Sequence, residues 1–244
     1  MTFDEYIGLL RTESGALVAA AGDHLDADVP GCPGWTVADL VGHTGQVQRW
    51  VEEIVRTNAD RPASRKGTPA PPEGEAVLGW FAEGAERLAT TLQAADPESP
   101  AWNWGPEPHT TTFWYRRMAE EAAVHRWDAE DASGEAAPID TALAVAGIDE
   151  LLDLVLPRAA QVGPFGDSAT MHLHATDAEG EWLLTMAGDE VRVSRGHAKG
   201  DAAVRGPASM LLLLLWKRVG ADAPGLEVFG EPSVVQRWVE QVEL

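Results

Sequence analysis

The sequence has one cysteine, Cys32, in 244 residues. A single cysteine excludes an internal disulfide framework and any cysteine-rich zinc module within the chain, and it fits a reducing compartment. Basic residues are also scarce: 18 Lys and Arg against 39 Asp and Glu leave a formal net charge of -21. Such a chain repels phosphate backbones and anionic lipid, so the sequence predicts neither a nucleic-acid partner nor an acidic membrane. Long apolar runs are missing too. The longest, Met210 to Trp216, is far shorter than a membrane span and reads as a short buried helix. Met1-Thr2-Phe3-Asp4-Glu5 has no basic start and no apolar stretch, which predicts no secretory leader and a cytoplasmic protein. No glycine-rich phosphate loop follows a strand and no nucleophile elbow is present, so nucleotide and serine chemistry are unsupported.

What is present is apolar content of 45%, enough for a globular core at this length. Up to about residue 138 the apolar spacing is helical. A first helix is expected from about Thr2 to Leu25. Pro30-Gly31-Cys32-Pro33-Gly34 breaks the chain, and Thr36 with Asp39 three residues on resembles a capping box opening a second helix. That helix is strongly amphipathic, with His43 at the edge of its apolar stripe, in register with Val47 and Trp50. Arg61 to Pro72 reads as a loop, Glu75 to about Ala95 as a third helix, and Asp96 to Thr112 as a long second loop. The fourth helix runs from about Thr112 to Asp131. Four helices with two long connections describe a four-helix bundle.

After Pro138 the pattern changes. A helix is expected from Ile139 to about Ala160. Alternation then takes over in Met171-His172-Leu173-His174-Ala175, in Trp182 to Met186 and in Val191 to Val193, read as antiparallel strands. Short strands follow at Ala202–Arg205 and Leu226–Phe229, with helices over Ser209–Val219 and Ser233–Val242. The expected fold is therefore α+β in two domains, a bundle over 1–138 and a smaller α+β domain with an antiparallel sheet over 139–244.

The fourth helix carries the chemistry. Glu121 and His125 lie four residues apart and leave one helix face, with Asp128 one turn further. A carboxylate and an imidazole stacked this way can hold a divalent cation, given a ligand from another helix. His43 is the best third ligand, and two His with one carboxylate leave an open position, as catalytic sites do. Asp128 would orient His125. The bland alternative is that Glu and His recur at this spacing by chance, that His43 is a core residue, and that Asp128 is a surface carboxylate. His109, in the loop before the fourth helix, could line the site. His172 and His174 share one strand face, in the other domain. His24 and His197 read as loop or terminus residues, and Cys32 as structural.

Val29-Pro30-Gly31-Cys32-Pro33-Gly34-Trp35-Thr36-Val37-Ala38-Asp39-Leu40-Val41-Gly42-His43 resembles the opening signature of the mycothiol-dependent maleylpyruvate isomerase family, within the DinB-like metalloenzyme superfamily. Glu121-Ala122-Ala123-Val124-His125-Arg126-Trp127-Asp128 resembles its second signature. The resemblance covers nearly the whole chain and implies that His43, Glu121 and His125 are zinc ligands. It also places a catalytic arginine at Arg218, where the competing reading is a cation at a helix C-terminus. The family more often has Gly where Lys217 stands. The implied activity is a zinc- and mycothiol-dependent isomerisation of a small electrophilic substrate. A mycothiol S-transferase and a non-catalytic metal-dependent binding or regulatory protein are the alternatives. The ligand types also suit iron, manganese or nickel.

Overall fold

A computed structural model describes residues 1–61, 67–134, 136–159 and 161–244. Part of the predicted Arg61–Pro72 loop and the end of the predicted Ile139–Ala160 helix therefore lie outside the described residues. The chain is α+β and divides into two compact units, Met1–Ala137 and Pro138–Leu244.

The first unit is a four-helix bundle. Its helices are α1 (Phe3–Ala21), α2 (Val37–Thr57), α3 (Ala76–Ala94) and α4 (Thr112–Ser133). α1 packs on α4 and α3, and α2 on α3 and α4. The start of α2 is set by its cap. Thr36 accepts from the Asp39 backbone N–H at 3.2 Å, while the Asp39 carboxylate accepts from the Thr36 N–H at 3.0 Å. This cap fixes the turn that precedes His43 by two helical turns. Thr36→Ala should cost about 1 kcal/mol, read by calorimetry as a melting point lower by about 3–5 °C.

α4 is buried almost all round, and its charges are buried with it. Arg126 Nε donates to Glu13 of α1 at 2.7 Å, and Arg126 Nη1 to Glu130 at 2.7 Å. Paired in this way, the guanidinium can occupy a position that an unpaired charge could not. The loop between α3 and α4 is ordered by aromatics. The Trp50 ring meets those of Trp102 and Trp114 edge-on at 5.7 Å each, and Trp114 Nε1 donates to the Trp102 carbonyl at 3.0 Å.

The second unit departs from the expected pattern in two places. The helix predicted from Ile139 is instead α5 (Thr141–Glu150), a π-type turn over Leu151–Val155, and a 3-10 turn over Leu156–Arg158. Pro157 has no N–H to continue the ladder, and the widened turn closes through Leu156 N–H to the Leu151 carbonyl. The sheet is also mixed, not purely antiparallel. Its five strands are β2 (Ala169–Ala175), β3 (Glu181–Ala187), β4 (Glu190–Arg195), β5 (Ala202–Gly206) and β6 (Glu227–Gly230), in the order β4-β3-β2-β5-β6. A separate two-stranded ribbon pairs β1 (Gln161–Val162) with β7 (Val242–Glu243).

β2 and β5 run parallel, with Met171 opposite Ala202. β2, β3 and β4 form an antiparallel meander, so the chain must pass back from β4, across β3 and β2, to start β5. Six residues, 196–201, make that passage. Met171, Leu173, Trp182, Leu184 and Val204 form the buried apolar face of the sheet, where α6 (Ala208–Leu215) and α7 (Pro232–Gln241) pack on β2 and β5.

α6 ends sooner than the predicted Val219. Lys217 takes the left-handed conformation at φ 59, and Arg218 N–H returns to the Leu213 carbonyl at 2.8 Å. This is a C-terminal cap of the kind that favours Gly. The Lys217 ammonium donates to the Val242 carbonyl at 2.5 Å, a contact that Gly could not make. No helix among the described residues is long and apolar enough to cross a membrane.

Candidate metal centre

α2 and α4 bring His43, Glu121 and His125 together. Glu121 Oε1 stands 3.8 Å from His43 Nε2 and 3.4 Å from His125 Nε2. One donor atom from each of the three residues lies within 4.8 Å of the others. Two ligands at about 2.1 Å from a tetrahedral ion stand about 3.4 Å apart, so this donor set fits a single small divalent cation with minor adjustment. The choice between Glu120 and Glu121 follows helix geometry. Glu120 is buried on another side of α4 and faces Arg116 and Arg117.

Three further groups hold the trio in place. Arg117, one turn before Glu121, binds the other carboxylate oxygen, Oε2, and so leaves Oε1 toward the two imidazoles. His125 Nδ1 donates to Asp128 Oδ2 at 3.0 Å, which turns the Nε2 lone pair toward Glu121 and His43. Asp128 is fully buried, so the surface-carboxylate reading fails. The Cys32 thiol donates to the same Asp128 oxygen at 3.7 Å. Successive turns put it there, with Cys32 N–H bonded to the Val29 carbonyl and Trp35 N–H to the Cys32 carbonyl. Cys32, His125 and Asp128 thus gather on the Nδ1 side of the ring, the closed side of the site.

The electrostatics match the geometry. Burial alone would raise the Glu121 carboxyl; the Arg117 charge and the His125 and His43 imidazoles overturn that and hold it well below the usual range. Burial would likewise push His125 down, but the bonds to Asp128 and then Glu121 raise it to about 9. Without a metal, these shifts hold His125 as an imidazolium between the Glu121 and Asp128 carboxylates. Asp128→Asn removes one of those carboxylates. Read at pH 9 or above, where the His125 proton competes little, it should weaken metal binding by about 10–100-fold in a chelator competition, with helix content unchanged by circular dichroism.

The open side lies at His43, whose side chain is 36% exposed. Its ring packs on Trp35 at 4.8 Å and edge-on to His125 at 5.7 Å. It borders a cavity of about 630 Å³ lined by Trp35, Gly42, Gln46, Pro71 and Glu73. The wall at Gly42 is tight: a β-carbon there would come within 3.1 Å of Pro71.

The other predicted residues fall elsewhere. His109 turns into its own loop, with Nε2 donating to the Gly105 carbonyl at 3.1 Å, and it joins none of the three metal-type clusters among the described residues. His24 is exposed in the 3-10 turn after α1. Arg218 lies in the second unit just beyond α6, where Nη1 donates to the Trp216 carbonyl at 3.1 Å. Sequence reasoning missed Arg117, and it read Cys32 as structural without finding its partner Asp128. The Arg117–Glu121 spacing is a helical i,i+4 pair and was a usable signal. Cys32 and Asp128 are 96 residues apart, and only the folded loop joins them.

Residues 7–130 match the family described as the mycothiol maleylpyruvate isomerase N-terminal domain, and residues 142–237 match the MDMPI C-terminal domain. Among solved structures, the chain is similar to the mycothiol-dependent maleylpyruvate isomerase, at 13% identity over 95% of each chain with a TM-score of 0.61. A histidine-to-alanine mutant of that enzyme matches at the same identity and coverage, with a TM-score of 0.62. At this identity the two structures establish a shared fold. No curated protein matches the chain by sequence. The two family matches together span most of the sequence, and the chain belongs to the mycothiol-dependent maleylpyruvate isomerase family of enzymes.

Proposed function

We propose that this chain is a zinc- and mycothiol-dependent isomerase of a small cis-enoyl diketo acid of the maleylpyruvate type. The observation that carries the proposal is the convergence of His43, Glu121 and His125 around one point, with His43 lining a cavity. The cavity's size is that of a small-molecule site. Two imidazoles and a carboxylate suit zinc, and they leave a coordination position free. A bound zinc would lower the pKa of a thiol placed at that position.

The chain's own residues hold the site in its orientation. Arg117 and Asp128 fix the two protein groups that must not rotate, Glu121 and His125. Trp35 flanks His43 at the mouth of the cavity. The mycothiol thiolate then forms a carbon–sulfur bond at the substrate double bond, whose electron pair moves onto the conjugated carbonyl. The former double bond becomes single and rotates. Collapse of the enolate expels the thiolate and leaves the trans isomer, with no net loss of atoms or electrons. Arg218 keeps, from the resemblance, the proposed role of pairing with a substrate carboxylate, for which its planar fork is suited.

The test is direct. Zinc-loaded protein given mycothiol and maleylpyruvate should yield fumarylpyruvate rapidly, with mycothiol recovered unchanged. No conversion, together with stable conjugation of mycothiol to a model electrophile, would replace the isomerase by an S-transferase.

A further inference from the structure

A second cluster with ligand chemistry lies in the other unit, on the face of the sheet opposite the apolar one. His172 and His174 alternate outward from β2, and Glu181 of β3 is the register partner of His174. The passage from β4 to β5 crosses this face and carries His197. That passage is anchored at both ends. Gly196 N–H bonds to the Glu181 carbonyl at 3.0 Å. At the far end the Asp201 carboxylate accepts from the Thr170 N–H at 2.8 Å and from its hydroxyl at 2.7 Å. Gly200 passes so close that a β-carbon would stand 3.0 Å from the His172 backbone nitrogen and 2.5 Å from the Ala202 carbonyl oxygen. The position of His197 is therefore set by backbone.

The side chains converge on the Glu181 carboxylate, both of whose oxygens stand 3.3 Å from His197 Nδ1. Glu181 Oε2 is 3.3 Å from His197 Nδ1 and 3.9 Å from His172 Nε2, and donor atoms of the three residues lie within 4.8 Å of one another. The separations resemble those among His43, Glu121 and His125, and they bracket the spacing of ligands around a tetrahedral cation. His174 Nδ1 donates to the second oxygen, Oε1, at 2.6 Å, and so orients Glu181 much as Arg117 orients Glu121. His172 supplies the independent observation. It is 4% exposed, and its Nε2 is buried with no hydrogen-bond partner although it faces this cluster. A buried imidazole nitrogen without a partner is costly unless something occupies its lone pair. Burial and the neighbouring imidazoles, only partly offset by Glu181, hold His172 below its usual range, in the neutral form that binds metals.

We propose that His172, Glu181 and His197 form a second divalent-cation site, of the zinc class, with His174 as the group that positions Glu181. Such an ion would tie the crossing segment to β2 and β3 and supply the missing partner of His172. The site shares no residue with the proposed isomerase centre, and neither assignment depends on the other.

The experiment is metal stoichiometry on tag-free, full-length protein, stripped with chelator, reloaded with zinc and measured by elemental analysis. Wild type should hold two equivalents. His197→Ala changes a side chain that is 84% exposed and Glu181→Gln keeps its size, so both variants should fold. Each should hold one equivalent, and wild type alone should gain thermal stability from the second. Glu121→Ala should keep one equivalent, and Glu121→Ala with His197→Ala none. If His197→Ala and Glu181→Gln both bind as much zinc as wild type, the second site is overturned. One equivalent in wild type, kept in His197→Ala and lost in Glu121→Ala, would overturn it and leave the isomerase centre standing. One equivalent kept in Glu121→Ala and lost in His197→Ala would support the second site and sink the first.

Discussion

Glu121→Ala should lose the metal of the α2–α4 site and reduce isomerase kcat/KM by at least about 10³. The magnitude comes from two separable losses. An ordinary thiol, with a pKa near 8.5, is only a few percent ionised at neutral pH, so removing the cation costs about 30-fold in thiolate alone. Loss of a fixed position for that thiolate beside the substrate adds roughly 10²-fold or more. The substitution also strips Arg117 and His125 of a buried partner, so the metal-free variant should be compared with metal-free wild type for stability. Glu121→Gln separates the effects. It keeps the shape and loses the charge, so its helix content should match wild type while zinc affinity falls. Activity within tenfold of wild type in Glu121→Ala would remove the centre from the mechanism.

The second large effect is on pH. His125, raised to about 9 by Asp128 and Glu121 against the pull of burial, carries a proton at neutral pH in the metal-free protein. A cation binding at Nε2 must expel that proton, so apparent affinity should rise about tenfold per pH unit from pH 6 and level off near pH 9. Binding at pH 7 would then be about 50-fold weaker than at pH 9. The sign for stability is opposite in the metal-free chain. A raised imidazole pKa contributes stability that is complete below about pH 6.5 and is lost as the pH climbs through about 9. The depressed Glu121 carboxyl contributes above the ordinary carboxylate range and is lost only in acid. Competition with a chromophoric chelator at pH 6, 7, 8 and 9 reads the first effect. Asp128→Asn should flatten the curve, because the charge that helps raise His125 is gone. An affinity independent of pH between 7 and 9 would mean that His125 is not the displaced group.

The sites differ in how much of them the sequence displays. Glu121, His125 and Asp128 share one helix, so their common face follows from 3.6 residues per turn, and the Thr36–Asp39 cap predicts where the helix bearing His43 begins. The partners that join these residues across long distances are another matter. Cys32 reaches Asp128 through a loop of turns whose path no periodicity encodes. In the second unit the strands were legible from alternation, and His172 and His174 were visibly on one face. That His197 lies over them depends on the parallel pairing of β2 with β5, which forces the chain across the sheet. Local propensity carries no record of strand order. Pro157 was a local signal for the interrupted helix after α5, whereas the widened turn at Leu151–Val155 had none.

The central claim is that His43, Glu121 and His125 hold a cation at which the mycothiol sulfur binds. Cobalt-substituted protein titrated with mycothiol tests it most directly, since sulfur bonding to cobalt produces a near-ultraviolet charge-transfer band that nitrogen and oxygen ligands do not. The band should appear with wild type and with His197→Ala, saturate at one thiol per chain, and be absent from Glu121→Ala. No band in cobalt-loaded wild type, or an undiminished band in Glu121→Ala, would contradict the account.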